Sequence, residues 1–283
     1  MHNVIGLRID VDTVKGYKNG VIPLLNLLAR YNIKASFFII TGYDSPIRTL
    51  PRFFNERGFF KRVFRLRGSL CYKMLSLTRL TFKECIKQIK DKGHEIGLHG
   101  YHHFDWQLRL RDWSTRRINK DLCQAIEYFK LHTGLYPHSF AAPGWVTKKE
   151  VFLAEENFHF DYCSDTRGIS PFYPVIGNKT VETLQVPVTL PTLDELISLG
   201  NPNRLIDINI KGNEVYCAHA EFDGMKYISI FEAFLENNLK KGYRFIRLSE
   251  MKSHFIKILS SRVIYKTIPG RTNIVAYQGE PDV

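Results

Sequence analysis

Cysteine is scarce: five residues in 283, at positions 71, 85, 123, 163 and 217, are too few for a disulfide scaffold. None stand in CxxC spacing, which excludes a cysteine-rich zinc site. No run approaches the roughly 20 apolar residues that a spanning helix needs. The opening, Met1-His2-Asn3-Val4-Ile5-Gly6-Leu7-Arg8-Ile9-Asp10, lacks a basic-then-apolar leader. A cytoplasmic location is the expectation, in keeping with unpaired cysteines. Internal repeats and low-complexity linkers are missing as well, which favours one domain. Acid is short relative to base, 28 Asp+Glu against 40 Lys+Arg, for a net charge of +12. That excess suits nucleic acid, an anionic membrane surface or a phosphorylated substrate. What is plentiful is apolar residue, 44% of the chain with 13% aromatic, enough for a sizeable core.

Short apolar runs of strand type recur: Val4–Val11, Ala35–Ile40, Glu95–Leu98, Ser139–Ala142, Phe158–Ser164, Gln185–Thr189, Glu214–His219 and Arg244–Arg247. Helix signals lie between several of them. Thr81-Phe82-Lys83-Glu84 and Thr147-Lys148-Lys149-Glu150 read as capping boxes, and Ile118, Leu122, Ile126 and Phe129 form an apolar stripe closed by Gly134. The alternation predicts an α/β fold on a mainly parallel sheet or barrel. One stretch, about 43–80, breaks the rhythm. Nine basic residues there face two acids, Asp44 and Glu56, and are interleaved with Phe53, Phe54, Phe59, Phe60 and Phe64. So long a βα connection counts as an insertion with its own job. Its composition suits the headgroup layer of an anionic bilayer; a helical hairpin packed on the barrel and a nucleic-acid contact are the alternatives. The stretch from Lys252 to Arg271 is also basic and could share that surface.

Chemistry-bearing residues cluster in a few blocks. In Arg8-Ile9-Asp10-Val11-Asp12 the two carboxylates, at i and i+2 on a strand, point to one face. The carboxyl end of a barrel strand is where catalytic groups sit. Such a pair needs a cation or a proton between its members, unless Asp12 merely caps the next helix. In His94-Glu95-Ile96-Gly97-Leu98-His99-Gly100-Tyr101-His102-His103, His99 and His103 are four apart and can face one divalent metal. Two histidines and a carboxylate form a common hydrolytic zinc set. His94 and His102 read as structural. Downstream, Phe140-Ala141-Ala142-Pro143-Gly144-Trp145, Tyr162-Cys163-Ser164-Asp165-Thr166-Arg167-Gly168 and Val215-Tyr216-Cys217-Ala218-His219-Ala220-Glu221 each follow or end a strand.

These five blocks, in this order, resemble the polysaccharide deacetylases (the NodB homology domain, carbohydrate esterase family four) from about residue 4 to 250. The resemblance implies a distorted (β/α)7-type barrel over 1–250, with the insertion at about 43–80 as a membrane-docking segment and a basic tail at 251–283. It implies Asp10 as general base, Asp12, His99 and His103 as ligands of a divalent metal, Zn²⁺ above others, and His219 as general acid oriented by Asp165. Pro143, Gly144, Trp145, Arg167, Tyr101 and Glu221 are expected around the substrate, with the backbone N–H of Gly144 or Trp145 on the oxyanion. Trp106 is a further candidate wall for the sugar. The arginine that holds the base in many members is replaced by Ala141, leaving Arg8 or Arg167 for that task. The usual Ser or Thr after the first histidine is Gly100.

Gly6–Thr13, Glu95–His99, Ser164–Gly168, Val186–Thr192 and His219–Glu221 are similar to the branch that acts on amino sugars carried by undecaprenyl phosphate. That branch implies removal of a formyl or acetyl group at the cytoplasmic face of the inner membrane. The product serves lipid A modification and resistance to cationic antimicrobial peptides. Its partners would be the lipid-linked N-acyl amino sugar and an anionic membrane surface. Nucleic acid is not expected, since it leaves the Asp and His blocks without a task. A deacetylase of soluble or cell-wall polysaccharide is the alternative, and a catalytically silent barrel a third reading.

Overall fold

The computed structural model describes residues 3–42 and 79–281; most of the basic insertion expected at about 43–80 lies outside the described residues. In chain order the elements are β1 (Val4–Val11), α1 (Val21–Arg30), β2 (Ser36–Ile39), α2 (Arg79–Asp91), β3 (Glu95–Leu98), α3 (His103–Arg109), α4 (Thr115–Thr133), β4 (Ser139–Phe140), α5 (Lys149–Asn157) and β5 (Tyr162–Cys163). They continue with β6 (Phe172–Ile176), β7 (Lys179–Thr180), β8 (Leu184–Gln185), α6 (Leu193–Ser198), β9 (Glu214–His219), α7 (Ile228–Lys240), β10 (Arg244–Ile246), β11 (Leu259–Lys266) and β12 (Val275–Pro281).

β1 is the centre of the sheet because all eight of its residues are buried and it is hydrogen-bonded along both edges. β2 and β10 pair with it in parallel, and so does β9, which is off the main strand path β10-β1-β2-β3-β4-β5-β8-β6-β11-β12. Alternation along β1 sorts its side chains. Ile5, Leu7, Ile9 and Val11 join the core under the helices, whereas Val4 belongs to the interior cluster with Phe38, Trp145, Val186, Val215 and Cys217. Since side chains two apart share a face, Arg8 and Asp10 project into the barrel interior with Val4. This is the expected distorted α/β barrel, with its sheet left open.

The helices form where the apolar stripes require them. α4 buries Ile118, Leu122, Ala125, Ile126 and Phe129, is capped by the Ser114 side chain on the Arg117 N–H, and ends at Gly134. α1 buries Val21, Leu24, Leu25, Leu27 and Leu28, and Pro23 sits in its first turn, where no intrahelical donor is needed. The two predicted capping boxes do not form. α2 already runs at Arg79, ahead of Thr81, and α5 starts from Lys148 with no side-chain cap. The stretch expected as a basic tail is part of the sheet: β11 pairs in parallel with β6, and β12 folds back on β11. Its hairpin tip returns to the site.

Candidate active site

The carboxyl end of β1 delivers Asp10 and Asp12, the loop after β3 delivers His99, and the first residue of α3 is His103. Parallel pairing of β1 with β9 puts Asp10 opposite His219, so residues 209 positions apart become register neighbours. The local chemistry of each is set by its partners.

Arg8, two residues before Asp10 on the same strand face, grips it side-on: Nε donates to Oδ1 at 2.7 Å and Nη2 to Oδ2 at 2.6 Å. Its third nitrogen, Nη1, donates to the carbonyl and hydroxyl of Ser164, so the guanidinium is locked. Burial alone would push Asp10 up, but Arg8 and His99 hold it below the usual carboxylate range. The guanidinium that the family resemblance expects at position 141, here Ala141, is supplied to Asp10 by Arg8 from the same strand. Arg167 goes elsewhere: Nε and Nη2 donate to the carbonyls of Val188 and Leu190, and Nη1 pairs with Glu195 at 2.6 Å.

Asp12 Oδ1 lies 3.3 Å from His99 Nε2 and 3.4 Å from His103 Nε2. His99 Nδ1 is 2.6 Å from the Ala141 carbonyl, which can only accept, so the ring proton sits on Nδ1 and the Nε2 lone pair faces the carboxylates. Asp12 Oδ1 is buried and accepts no hydrogen bond among the described residues. A lone pair and anionic oxygens aimed at one point repel unless a cation or a proton stands there. Donor atoms of Asp12, His99 and His103 within 4.8 Å of one another fit a divalent metal ion. Glu221 braces this corner. Its Oε1 accepts from the N–H groups of Asp12 and Thr13 and from the Thr13 hydroxyl, and burial followed by Asp12 pushes its carboxyl up to about 7.

His219 is oriented differently from expectation. Its Nδ1 faces Asp194 Oδ1 at 3.6 Å, an ion-pair approach longer than a hydrogen bond, and makes no hydrogen bond among the described residues. Asp165 is engaged elsewhere, accepting from the Ala142 N–H and from Gln185 Nε2; burial holds it above its ordinary value against the Glu155 hydrogen bond, while burial and then Asp165 push Glu155 well up. Burial would lower the His219 imidazole, but Asp194, Asp12 and Asp10 outweigh it and raise it. Asp194 is itself placed by Thr192, whose hydroxyl donates to Oδ1 at 2.5 Å, and by Arg271, whose Nη2 donates to Oδ2 at 3.0 Å.

Of the residues expected around substrate, Trp145 is 1% exposed and lies under the site as a floor. The guanidiniums of Arg271, Arg167 and Arg8 lie 4.3, 4.9 and 5.4 Å from its ring centroid. Pro143 is buried beside it, and Gly144 and Trp145 both take left-handed backbone angles (φ 62° and 55°). The Trp145 N–H is given to the Ala142 carbonyl, which leaves Gly144 as the backbone donor of the pair. Tyr101 is half-buried on the loop between His99 and His103, its N–H donated to Asp121. Trp106 is core, its Nε1 donating to the Val146 carbonyl, and is no wall for a ligand. His94 accepts from the Ala35 N–H and is structural.

Asp194 and Arg271 were invisible in the motifs. Asp194 follows the matched Val186–Thr192 block inside the capping box Thr192–Glu195, a readable helix start, but nothing local ties it to His219. Arg271 is one arginine in a basic stretch and carries no signal.

The family model for polysaccharide deacetylases matches residues 4–163. A relative in Wigglesworthia glossinidia brevipalpis, named a probable 4-deoxy-4-formamido-L-arabinose-phosphoundecaprenol deformylase, is 37% identical over 93% of this chain and 98% of its own. A relative of the same name in Shewanella sediminis is 32% identical over 88% and 86%. Among solved structures, a Mycobacterium smegmatis protein assigned to the polysaccharide deacetylases superposes with a TM-score of 0.60 at 18% identity, covering 90% of this chain and 91% of that one. A family 4 carbohydrate esterase from Streptomyces lividans gives 0.52 at 11% identity, covering 86% and 91%. These two show the fold alone. The chain belongs to the polysaccharide deacetylase family of carbon–nitrogen hydrolases.

Proposed function

We propose that the protein removes the formyl group from 4-deoxy-4-formamido-L-arabinose carried on undecaprenyl phosphate, freeing the amine. The observation that carries the reaction is the meeting of Asp10 and His219 across the β1–β9 ladder, beside the Asp12–His99–His103 cluster. The relatives' names support formyl over acetyl and arabinose over galactosamine.

Asp12, His99 and His103 would hold a divalent metal, with Zn²⁺ suited to two imidazoles and one carboxylate. Bound there, it would polarise the amide carbonyl and acidify water. The remaining work falls to the chain. Asp10, kept ionised by Arg8, takes the proton from the attacking water. Gly144 offers its backbone N–H toward the carbonyl oxygen as charge develops. His219, oriented by Asp194, hands a proton to the nitrogen as the C–N bond breaks, giving formate and the sugar amine. Glu221 and Arg167 act through what they brace, and Tyr101 lines the approach.

A polyprenyl-linked substrate stays in its membrane, so the enzyme must come to it. No helix among the described residues is long and apolar enough to cross a membrane. The basic, phenylalanine-rich composition of 43–80 supports peripheral attachment at an anionic cytoplasmic leaflet. The amine formed, once on lipid A, would offset phosphate charge and weaken binding of cationic peptides. The test is mass spectrometry of undecaprenyl-phosphate sugars, formylated and acetylated, incubated with the protein before and after exhaustive chelation. Loss of CO from the formylated arabinose, abolished by chelation and restored by divalent metal, is expected. Loss of C2H2O from an acetylated sugar alone, or turnover indifferent to chelation, would overturn the reading.

A further inference from the structure

The last strands contribute more than sheet edge. Between β11 and β12, residues 267–274 form a turn whose tip makes three separate contacts with the acid side of the site. Gly270 lies flat on the backbone of α6: it takes φ +83°, and a Cβ there would come within 2.6 Å of the Glu195 carbonyl oxygen. Arg271 reaches past it. Nε donates to Glu195 Oε1 at 2.6 Å and Nη2 to Asp194 Oδ2 at 3.0 Å, while its guanidinium carbon lies 4.3 Å from the centroid of Trp145. Asn273 Nδ2 donates to the carbonyl of Gly144 at 3.4 Å.

We infer that Arg271 is a positioning residue for the proton-donating half of the reaction, so that the C-terminal hairpin completes the active site. This rests on the role proposed for His219. Asp194 has two oxygens, and the contacts divide them. Arg271 occupies Oδ2, so Oδ1, steadied by the Thr192 hydroxyl, is the oxygen turned to His219 Nδ1. Two forked contacts from one planar guanidinium fix the plane of the Asp194 carboxylate relative to Glu195, which a single ammonium cannot do. A buried carboxylate without that cation would rotate, or take up a proton, and lose its hold on the imidazole. Arg271 contacts Asp194, Glu195 and Trp145 rather than Asp12, His99 or His103, so metal content serves as the control.

The experiment compares Arg271→Met, Arg271→Lys and Gly270→Ala with the parent, all full-length and metal-loaded. Two substrates are used. The lipid-linked formamide must expel a poor leaving group that needs a proton; 4-nitrophenyl acetate expels a phenolate that does not. For Arg271→Met we expect kcat on the formamide to fall about ten- to a hundredfold, part of the 10²–10⁴ that proton transfer contributes. KM and the ester rate should stay within about twofold, and metal content should match the parent. Arg271→Lys should recover part of the loss, and Gly270→Ala should reproduce the split by lifting the tip. Equal losses on amide and ester, or no loss on either, would overturn the inference. A crystal structure of Arg271→Met decides without turnover: Asp194 Oδ1 displaced from His219 Nδ1 supports it, and an unmoved carboxylate overturns it. A parent inactive on the formamide would sink the proposed substrate and leave that structural comparison standing.

Discussion

The two halves of the site are built in opposite ways. On the base side, Arg8 and Asp10 come from β1 and Asp12 from the residue just past its end, and His99 and His103 from one loop-and-helix junction, with spacings of two and four. On the acid side, His219 ends β9, Asp194 sits in the first turn of α6, Trp145 follows β4 and Arg271 comes from the hairpin between β11 and β12. The first half is assembled by secondary structure; the second exists only once distant segments are packed. The difference teaches where a sequence reading can be trusted with geometry and where it can be trusted only with residue type.

The sharpest way to break this contrast is at the base side. Asp10→Asn should cut kcat/KM by about 10³-fold or more while metal content, read by atomic emission, stays at the parent level. His99→Ala should lose both metal and turnover. If Asp10→Asn also emptied the metal, the separation of base from ligands would be wrong. Arg8→Met should be the most destabilising single change, since it strands a buried carboxylate; a loss of about 3–5 kcal/mol in urea unfolding is expected. A change below about 1 kcal/mol would mean that Asp10 finds another partner.

On the acid side, Asp194→Asn should lower kcat about ten- to a hundredfold with KM little changed. The His219 imidazole is held above its ordinary value in part by Asp194, so the variant's pKa falls. Because a general acid must be protonated, the alkaline limb of the pH–rate profile should move to lower pH. Asp165→Asn should leave that limb where it is; the reverse outcome would restore Asp165 to the role the motif suggested. The smallest effect is a control from the same histidine-rich block. Burial, with Lys34, Lys92 and Arg247 adding to it, lowers His94 to about 4. The unfolded chain then takes up a proton that the folded one refuses, so stability to urea should decline as pH drops from about 6.5 toward 4. His94→Gln should flatten that slope without touching metal binding.

Much of the fold was legible because hydrophobic period is local. β1, β3 and β9 begin and end where the apolar runs do, and the α4 stripe and its Gly134 stop are where the spacing puts them. β6, β7, β11 and β12 were not legible. β11 and β12 carry exposed and charged positions, and β6 contains Pro174, so their pairing depends on the neighbour they meet. The capping boxes misled as well: Thr147 and Glu150 have the right spacing, but α5 starts from Lys148, one residue later, with no side-chain cap.

Two short spacings, Asp10 to Asp12 and His99 to His103, point to the proposed metal-and-base corner, because Asp12 directly follows the strand that carries Asp10 and the two histidines bound the short segment that leads from β3 into α3. Which carboxylate meets His219, which arginine steadies it and which tryptophan lies beneath are questions of three-dimensional approach. Charge and hydrogen bonding act across a few ångströms without regard to chain separation, so Asp194, 25 positions from His219, and Arg271, 52 beyond it, became visible only when the sheet brought them together.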